Sequence, residues 1–294
     1  MKVFVTGGSG LIGSNVILEL IAKGHTVNAL ARSDASVAKV KSLGATPIKG
    51  SQTDLSVLSE QASIADAVLH LAFNNEAIVG GDVATACKEE KEAIKAMCDA
   101  LVNTNKSFVA SGGMLGAIDT DENGHFKLPF PRLEIEPFVL SYVEKSVKAN
   151  NIRLSPVTHA AGIEHPFISV QIAIAKKTGV AGYIGDGSKA WCAVHAKDAA
   201  ALYVLAIEKG LSGKNLHAAA ELKIPTKTIA EYIGKKLNVP VKSITPEEAA
   251  ASGYGFVAMV MNLGGEFTTK LTREWTGWEP KQPGLFATIE TYKW

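Results

Sequence analysis

Cysteine is scarce in this sequence of 294 residues, and the cysteines that are present are not spaced for chemistry. Cys87, Cys98 and Cys192 are odd in number and show no CxxC spacing. Each lies in an apolar or helical stretch, which is typical of the reduced thiols of cytosolic proteins. We therefore expect all three to be packing residues.

A long apolar run and a strong net charge are also missing. No apolar run approaches the roughly 20 residues that a membrane helix needs, and the formal net charge of +1 offers no electrostatic footprint for nucleic acid. A glycine motif starts at Gly7, which leaves no room before it for a secretory signal. The sequence thus predicts a cytoplasmic protein with neither a membrane nor a nucleic acid as partner.

Motifs of several other enzyme classes are absent from the sequence. It has no GxSxG elbow, so a hydrolase triad is not supported. A Walker-type phosphate loop needs a lysine after Gly13, where this chain has Ser14. The spacing of His159, His165 and His195 matches no compact metal motif, so no metal site is predicted.

What the sequence does contain is a regular alternation of strand and helix patterns. A further helix is expected from Arg132 to about residue 149, with a strand starting at Ile152. Strands that alternate with helices imply right-handed crossovers, so the predicted fold class is α/β with a doubly wound, parallel Rossmann sheet. β-branched or apolar runs predict its first five strands over residues 2–6, 26–31, 46–48, 67–72 and 107–111.

The pattern loosens after residue 164. We predict an NAD(P)-binding Rossmann domain over residues 1–164 and a smaller, mainly substrate-covering lobe over residues 165–294. An apolar helix near residues 197–209 is expected to return to the Rossmann domain, so the division is not a clean cut.

The glycine loop TGGSGLIG, residues 6–13, stands between the first strand and the first helix. Gly7 permits a sharp turn, Gly10 lets the backbone approach a pyrophosphate, and Gly13 lets the helix pack close to the strand. The free N–H groups at the start of the helix then face the phosphates. This context predicts a dinucleotide cofactor.

Arg32 and Ser33 mark the end of the second strand, where NAD-selective proteins place a carboxylate on the ribose 2′-hydroxyl. An arginine at that point favours a 2′-phosphate, so NADPH is the predicted cofactor. Asp34 follows two positions after Arg32 and is the alternative that would serve NAD.

Several segments together resemble the extended short-chain dehydrogenase/reductase superfamily nearly from end to end. They are the glycine turn, Leu71-Ala72-Phe73, Ser111, the VHAKDAA segment at 194–200 and the closing GWEP at 277–280. Within the superfamily the chain is similar to an atypical branch of NAD(P)-dependent epimerase/dehydratase-like proteins from fungi and bacteria. Members of that branch studied as enzymes are mostly aldehyde and ketone reductases, which use a small carbonyl compound as substrate.

The resemblance implies a set of cofactor contacts. Ser111 would face the nicotinamide, and Ser51 would replace the aspartate that usually meets the adenine amino group. His159 lies after the sixth predicted strand, at a carboxyl end where ligands bind in open sheets. The other implied contacts are the pyrophosphate residues Gly7, Gly10, Leu11 and Ile12 and the ribose neighbours Leu71, Ala72 and Phe73.

The YxxxK pair of the superfamily is missing. Tyr142 with Lys145 is the nearest match, but a helix that starts near Arg132 would carry Tyr142 about 15 Å along its axis, too deep to meet a hydride. Counted back from the next strand, Arg132 and Glu136 occupy the places of the tyrosine and the lysine.

Three explanations of the missing pair stay open. Arg132 acts as electrophile and cation, another group such as His125 or Tyr183 donates the proton, or the protein binds its cofactor without chemistry. The leading prediction is an NADPH-dependent carbonyl reductase in which Ser111 orients the carbonyl while Arg132 and Glu136 shape the site. A sugar-nucleotide epimerase or dehydratase and a dinucleotide-sensing regulator are the alternatives, and the sequence leaves the oligomeric state open.

Overall fold

The structure, a computed structural model, describes residues 1–114, 121–124 and 131–294. The strands are β1 Lys2–Thr6, β2 Thr26–Ala31, β3 Thr46–Lys49, β4 Ala67–His70, β5 Ser107–Gly113, β6 Lys148–Leu154, β7 Val157–His159, β8 Ala181–Ile184, β9 Ala190–His195, β10 Lys214–Ala218, β11 Glu221–Pro225 and β12 Val241–Ile244.

Helices connect most of these strands. They are α1 Leu11–Ala22, α2 Asp34–Ser42, α3 Leu55–Ser63, α4 Asn75–Val79, α5 Val83–Asp99, α6 Ile135–Leu140, α7 Pro166–Thr178, α8 Ala196–Glu208, α9 Thr226–Leu237, α10 Pro246–Ser252, α11 Phe256–Asn262, α12 Lys270–Thr276 and α13 Leu285–Ile289, with 3-10 turns at Pro131–Glu134 and Ser141–Lys145. None of the helices in the described part of the chain is long and apolar enough to cross a membrane.

The central sheet has seven strands in the order β10-β6-β5-β4-β1-β2-β3, and every neighbouring pair is parallel. The strand order reverses at β1, which lies between β2 and β4, and ligands of such sheets bind at the carboxyl ends on either side of this point. The sequence-based prediction of a doubly wound, parallel Rossmann sheet is therefore confirmed.

Apolar side chains cover both faces of this sheet. One face packs against α1 and α8 through residues such as Ile17, Leu20 and Leu202, and the other packs against α3, α5 and α6 through Leu58, Ile94 and Val139. A sheet buried on both faces needs strands that are apolar throughout, and Val3 to Val5 of β1 are all inaccessible to solvent.

The second part of the chain builds a smaller lobe with its own core. A three-stranded sheet, β11-β9-β7, and a two-stranded sheet, β12-β8, pack with α7, α9 and α11 around Trp191. Not all of residues 165–294 belong to this lobe. Helix α8 packs on the central sheet and β10 is one of its edge strands, so the chain leaves the lobe and returns to it.

The prediction of one helix from Arg132 to about residue 149 is wrong in the extent of the helix. The structure has a 3-10 turn, the short α6 and a second 3-10 turn, and Ser146 ends the segment in a left-handed conformation with φ 58°. Strand β6 then begins at Lys148, four residues before the predicted start. Asn150 and Asn151 lie within this strand, and both side-chain amides are buried and hydrogen-bonded.

The fourth strand is shorter than predicted. Its ladder ends at His70 rather than Ala72, because Thr6 is the last residue of β1 and the chain turns sharply at Gly7. The N–H groups of Leu71 and Ala72 both donate to the side-chain hydroxyl of Thr6, and that of Leu71 also donates to the Thr6 carbonyl.

Gly13 carries the tightest contact of the glycine turn, and its replacement should test the fold. An added Cβ would lie 2.1 Å from the Gly7 carbonyl oxygen. Gly13→Ala should therefore lower the free energy of unfolding by about 3 kcal/mol, although alanine favours helices intrinsically. Gly80→Ala is the control, since its Cβ would meet only atoms at 3.4 Å and beyond. Chemical denaturation gives the free energy of unfolding of the two variants. Equal values for Gly13→Ala and Gly80→Ala would contradict the close packing of Gly13 on Gly7.

Candidate cofactor and active site

The glycine turn has the geometry of a phosphate cradle. Gly7 adopts φ +71°, and an added Cβ would lie 2.7 Å from the Ala72 nitrogen, so the turn packs directly on the chain after β4. Gly10 caps α1, and a Cβ there would meet one atom within 4 Å, the Gly7 oxygen at 3.3 Å. No side chain caps the helix, which leaves the backbone N–H groups at Leu11 and Ile12 available to a pyrophosphate. These residues fit a dinucleotide.

Charged residues lie at the carboxyl ends of β2 and β3. Arg32, directly after β2, is exposed and forms an ion pair with Glu76 of α4. Ser33 caps α2, and its hydroxyl accepts from the Ser36 N–H at 3.2 Å. Asp34 is bound to Lys49 at 2.6 Å, which holds the pKa of its carboxyl below the usual range.

The chain after β3 is tied to itself and to α5. The N–H and hydroxyl of Ser51 both donate to Asp54, at 2.6 and 3.0 Å. Gln52 and Asn74 both donate to the Glu89 carboxylate, at 2.9 and 2.8 Å. Glu89 therefore holds the loops after β3 and β4 together, and the contact of Ser51 with an adenine stays a prediction.

Ser111 is fully engaged in hydrogen bonds. Its hydroxyl donates to the His70 carbonyl at 2.9 Å, so in the 2.7 Å contact with the Tyr203 hydroxyl it is tyrosine that donates. Tyr203 lies in α8 and is buried, which raises the pKa of its phenol above the usual range. This phenol positions Ser111 and is a poor acid at neutral pH.

Arg132 lies beside Ser111 and is held on two sides. Its guanidinium stacks on the Phe73 ring at 3.7 Å from the centroid, and its Nε and Nη2 donate to Glu90 at 3.2 and 3.1 Å. Nη2 also lies 3.4 Å from the Ser111 carbonyl oxygen. Glu90 is buried, which raises the pKa of its carboxyl, while Arg132 lowers it. The side chain of Arg132 is 29% exposed, so part of this cation is accessible to solvent.

Glu136 belongs to a different cluster. Its carboxylate forms two hydrogen bonds to Arg153, at 2.6 and 3.0 Å, and both residues are buried. Arg153 in turn donates to the carbonyl oxygens of Asp121 and Gly124. Glu136 thus supports the chain that follows β5 rather than contacting Ser111 or Arg132.

His70 lies beneath the same cluster. The hydroxyl of Thr6 accepts from two backbone N–H groups, so it donates to Nδ1 of His70 at 2.7 Å and leaves the ring proton on Nε2. Nε2 is buried and has no hydrogen-bond partner in the described ranges. Burial, aided by Arg132, lowers the pKa of this imidazole to about 3, so it is neutral.

His159 lies at the junction of the central sheet and the smaller lobe. Its Nδ1 is 3.0 Å from the Thr288 hydroxyl, and its ring meets that of His195 edge to face. Burial lowers the pKa of His159 to about 4. No contact joins His159 to Ser111 or Arg132 in the described part of the chain, and its contact with a cofactor stays a prediction.

Neither Tyr142 nor Tyr183 contacts Arg132 in the described part of the chain. The Tyr142 ring is in the core of the sheet domain, and its hydroxyl donates at 2.8 Å to the exposed Asp99. Tyr183 is in the smaller lobe, below Lys227. His125 lies outside the described residues. Across those residues no group of three or more histidine, cysteine, aspartate or glutamate side chains could hold a metal ion.

Glu90 and Tyr203 are the site residues that sequence reasoning missed. Glu90 shares the buried stripe of α5 with Ala86, Ala93 and Met97. A carboxylate on an apolar helix face signals a buried partner. Tyr203 lies on the buried face of the alanine-rich α8, and a buried tyrosine hydroxyl usually has a partner too. Neither pattern identifies which residue that partner is.

Comparisons with known proteins agree with this geometry. The family model described as NAD(P)H-binding matches residues 7–159. The uncharacterized protein YLL056C of Saccharomyces cerevisiae is 38% identical, with 98% of each chain covered. Sterol-4-alpha-carboxylate 3-dehydrogenase, decarboxylating, of Dictyostelium discoideum is 28% identical over 71% of this chain and 68% of its own.

The fold has close counterparts among solved structures. DesIV, a dTDP-glucose 4,6-dehydratase from Streptomyces venezuelae with NAD bound, superposes with a TM-score of 0.76 at 18% identity, covering 99% of this chain and 97% of that one. The resemblance inferred from the sequence is confirmed. The chain belongs to the NAD(P)H-binding family, and its fold is that of the extended short-chain dehydrogenase/reductases.

Proposed function

We propose that the protein is an NADPH-dependent reductase of small aldehydes or ketones. The observation that carries the proposal is Arg132, a guanidinium fixed between Phe73 and Glu90 beside Ser111, at the carboxyl end of β5. The glycine turn follows β1, and ligands of such sheets bind at the carboxyl ends of the strands. A cation held there is ready to stabilise an oxygen that becomes negative. The relative from Dictyostelium is named a dehydrogenase, which supports a redox reaction.

In this proposal Arg132 stabilises the negative charge on the substrate oxygen, as the tyrosine does in the superfamily. When bound, the dinucleotide supplies a hydride to the carbonyl carbon of the substrate. Arg132 then stabilises the alkoxide oxygen, since its Nη1 has no partner among the described residues. A guanidinium does not release its proton at neutral pH. Water therefore protonates the alkoxide.

Ser111 orients the carbonyl in this scheme. The Tyr203 phenol donates to the serine oxygen and so holds it in place. To orient the substrate, the serine hydroxyl would exchange its hydrogen bond to the His70 carbonyl for one to the substrate oxygen. Glu136 shapes the site from behind, because through Arg153 it fixes the backbone at Asp121 and Gly124.

The choice of NADPH over NADH rests on Arg32 and Ser33. A 2′-phosphate placed between them would meet an exposed guanidinium and the N-terminus of α2, both favourable to an anion. Asp34, the residue that would favour NAD, is bound to Lys49.

Two other functions are the alternatives. A sugar-nucleotide epimerase or dehydratase shares the fold, but it needs a base as well as a retained cofactor, and a guanidinium is no base. A dinucleotide-sensing regulator is favoured by the missing tyrosine and by the internal hydrogen bonds of Ser111. NADPH oxidation measured at steady state against a panel of aldehydes and ketones, with NADH in parallel, separates the three. Tight NADPH binding without turnover on any carbonyl would favour the regulator.

Gly10→Val should weaken NADPH binding at least tenfold, about 1.4 kcal/mol, because its side chain occupies the space where the backbone approaches the pyrophosphate. The fold should survive, since Gly10 has φ −74° and an added Cβ would meet one atom within 4 Å, the Gly7 oxygen at 3.3 Å, which a shift of a few tenths of an ångström relieves. Calorimetric titration of the folded variant gives the affinity. Unchanged affinity would remove the glycine turn from the binding site.

Arg132→Gln should lower kcat/KM at least 100-fold while the Kd for NADPH changes less than about threefold, because the lost charge acts on the substrate oxygen. Arg132→Lys should recover part of the rate, since it keeps the charge without the two-point bond to Glu90. Arg273→Gln is the matched control, because Arg273 is an exposed arginine that stacks on Trp278 of the C-terminal segment. Equal rates for both glutamine variants would exclude Arg132 from the reaction.

Two tyrosine variants test the positioning of Ser111. Tyr203→Phe removes the donor that holds the serine oxygen and should lower kcat about tenfold. Tyr142→Phe removes a partly buried hydrogen bond, to Asp99, and should leave kcat within a few-fold of wild type. Steady-state kinetics with thermal melting for each variant separates a rate effect from loss of folding. The reverse order of effects would place the proton donor at Tyr142.

A further inference from the structure

The ion pair between Arg32 and Glu76 joins two elements on opposite sides of the adenosine end of the cleft. Arg32 directly follows β2, and Glu76 lies in α4, three residues after Phe73. Between them the backbone of Gly7 packs against Leu71 and Ala72, where the ribose of the cofactor is expected to pass. Both charged side chains are largely exposed, at 67% and 75%. The pair therefore lies where the adenosine ribose must be bound.

The Arg32 guanidinium cannot pair with a second anion as strongly as it would if Glu76 were absent. The other polar groups near Arg32 already have partners. Asp34 is bound to Lys49, and the hydroxyl of Ser33 caps α2. Glu76 is the carboxylate that contacts Arg32 in the described part of the chain. A 2′-phosphate, with nearly two negative charges, has to displace Glu76 from Arg32 and then meets its repulsion.

We propose that Glu76 is a specificity-determining residue that limits the preference of this protein for NADPH. It competes with the 2′-phosphate for Arg32, and in a cofactor without that phosphate it accepts a hydrogen bond from a ribose hydroxyl. The carboxylate that NAD-selective proteins place at the end of the second strand is thus supplied here from α4. The inference rests on the proposed assignment of Arg32 to the 2′-phosphate.

The adenosine fragments 2′,5′-ADP and 5′-AMP test this without the nicotinamide or a substrate. Their Kd values are measured by calorimetry for wild type, Glu76→Gln, Arg32→Ala and the double variant. Glu76→Gln should bind 2′,5′-ADP about three- to tenfold more tightly and 5′-AMP equally or more weakly. In the Arg32→Ala background the same change should gain less than twofold, because the competition requires the guanidinium.

Asp34→Asn is the matched control. It also removes one exposed negative charge near the cleft, but that charge contacts Lys49 rather than Arg32. An equal gain from Asp34→Asn, or a gain that persists without Arg32, would mean that net charge alone acts and would overturn the proposal.

The assignment of Arg32 to the 2′-phosphate and the role of Glu76 would be contradicted by different results. A wild-type chain that binds both fragments equally contradicts the choice of NADPH. Glu76→Gln is then still expected to create a preference for 2′,5′-ADP, and its failure to do so overturns the role of Glu76. A wild-type preference for 2′,5′-ADP that Glu76→Gln leaves unchanged overturns the role of Glu76 and supports the assignment of Arg32.

Discussion

The side chain of Thr6 makes the connection on which the cleft depends. It ends β1, accepts the N–H groups of Leu71 and Ala72, and donates to His70. The next residue, Gly7, packs so closely on the same backbone that no side chain fits. The chain after β4 is thereby fixed against the glycine turn, and Phe73 and Arg132 are placed relative to the cofactor cleft.

The same edge of the sheet is linked onward by side chains. The Ser111 hydroxyl of β5 donates to the His70 carbonyl of β4, and Tyr203 of α8 donates to Ser111. Thr6, His70, Ser111 and Tyr203 thus connect the carboxyl ends of three neighbouring strands to one helix. Apart from Nε2 of His70, the polar groups joined here have partners, and such buried hydrogen bonds rigidify a site.

The two residues proposed to replace a tyrosine–lysine pair are both held in ion pairs. In the superfamily, the lysine lowers the pKa of the tyrosine so that the phenol can transfer a proton. Arg132 and Glu136 match that pair when counted back from a strand at Ile152, whereas β6 begins at Lys148. The structure pairs Arg132 with Glu90 and Glu136 with Arg153. In the proposed reaction Arg132 would supply a positive charge, and the proton would come from water.

Local signals made the central sheet and the glycine turn predictable. The turn is contiguous, and buried strands are apolar whatever surrounds them. The environment of Arg132 was not predictable in the same way, because Glu90 is 42 residues away and comes from another helix. The start of β6 was missed because asparagine is rare within buried strands, and its partners, Leu211 and Asn215, lie more than 60 residues further on.

These asparagines affect how the last strand of the sheet is aligned. Strand β10 joins the sheet after α7, β8 and β9 of the smaller lobe have intervened in the chain. The Asn151 amide donates to Asn215, and the Asn150 oxygen accepts from the Lys214 N–H. A slip of one residue would leave buried amides without partners. These hydrogen bonds therefore favour one alignment of β10 on β6 over its neighbours.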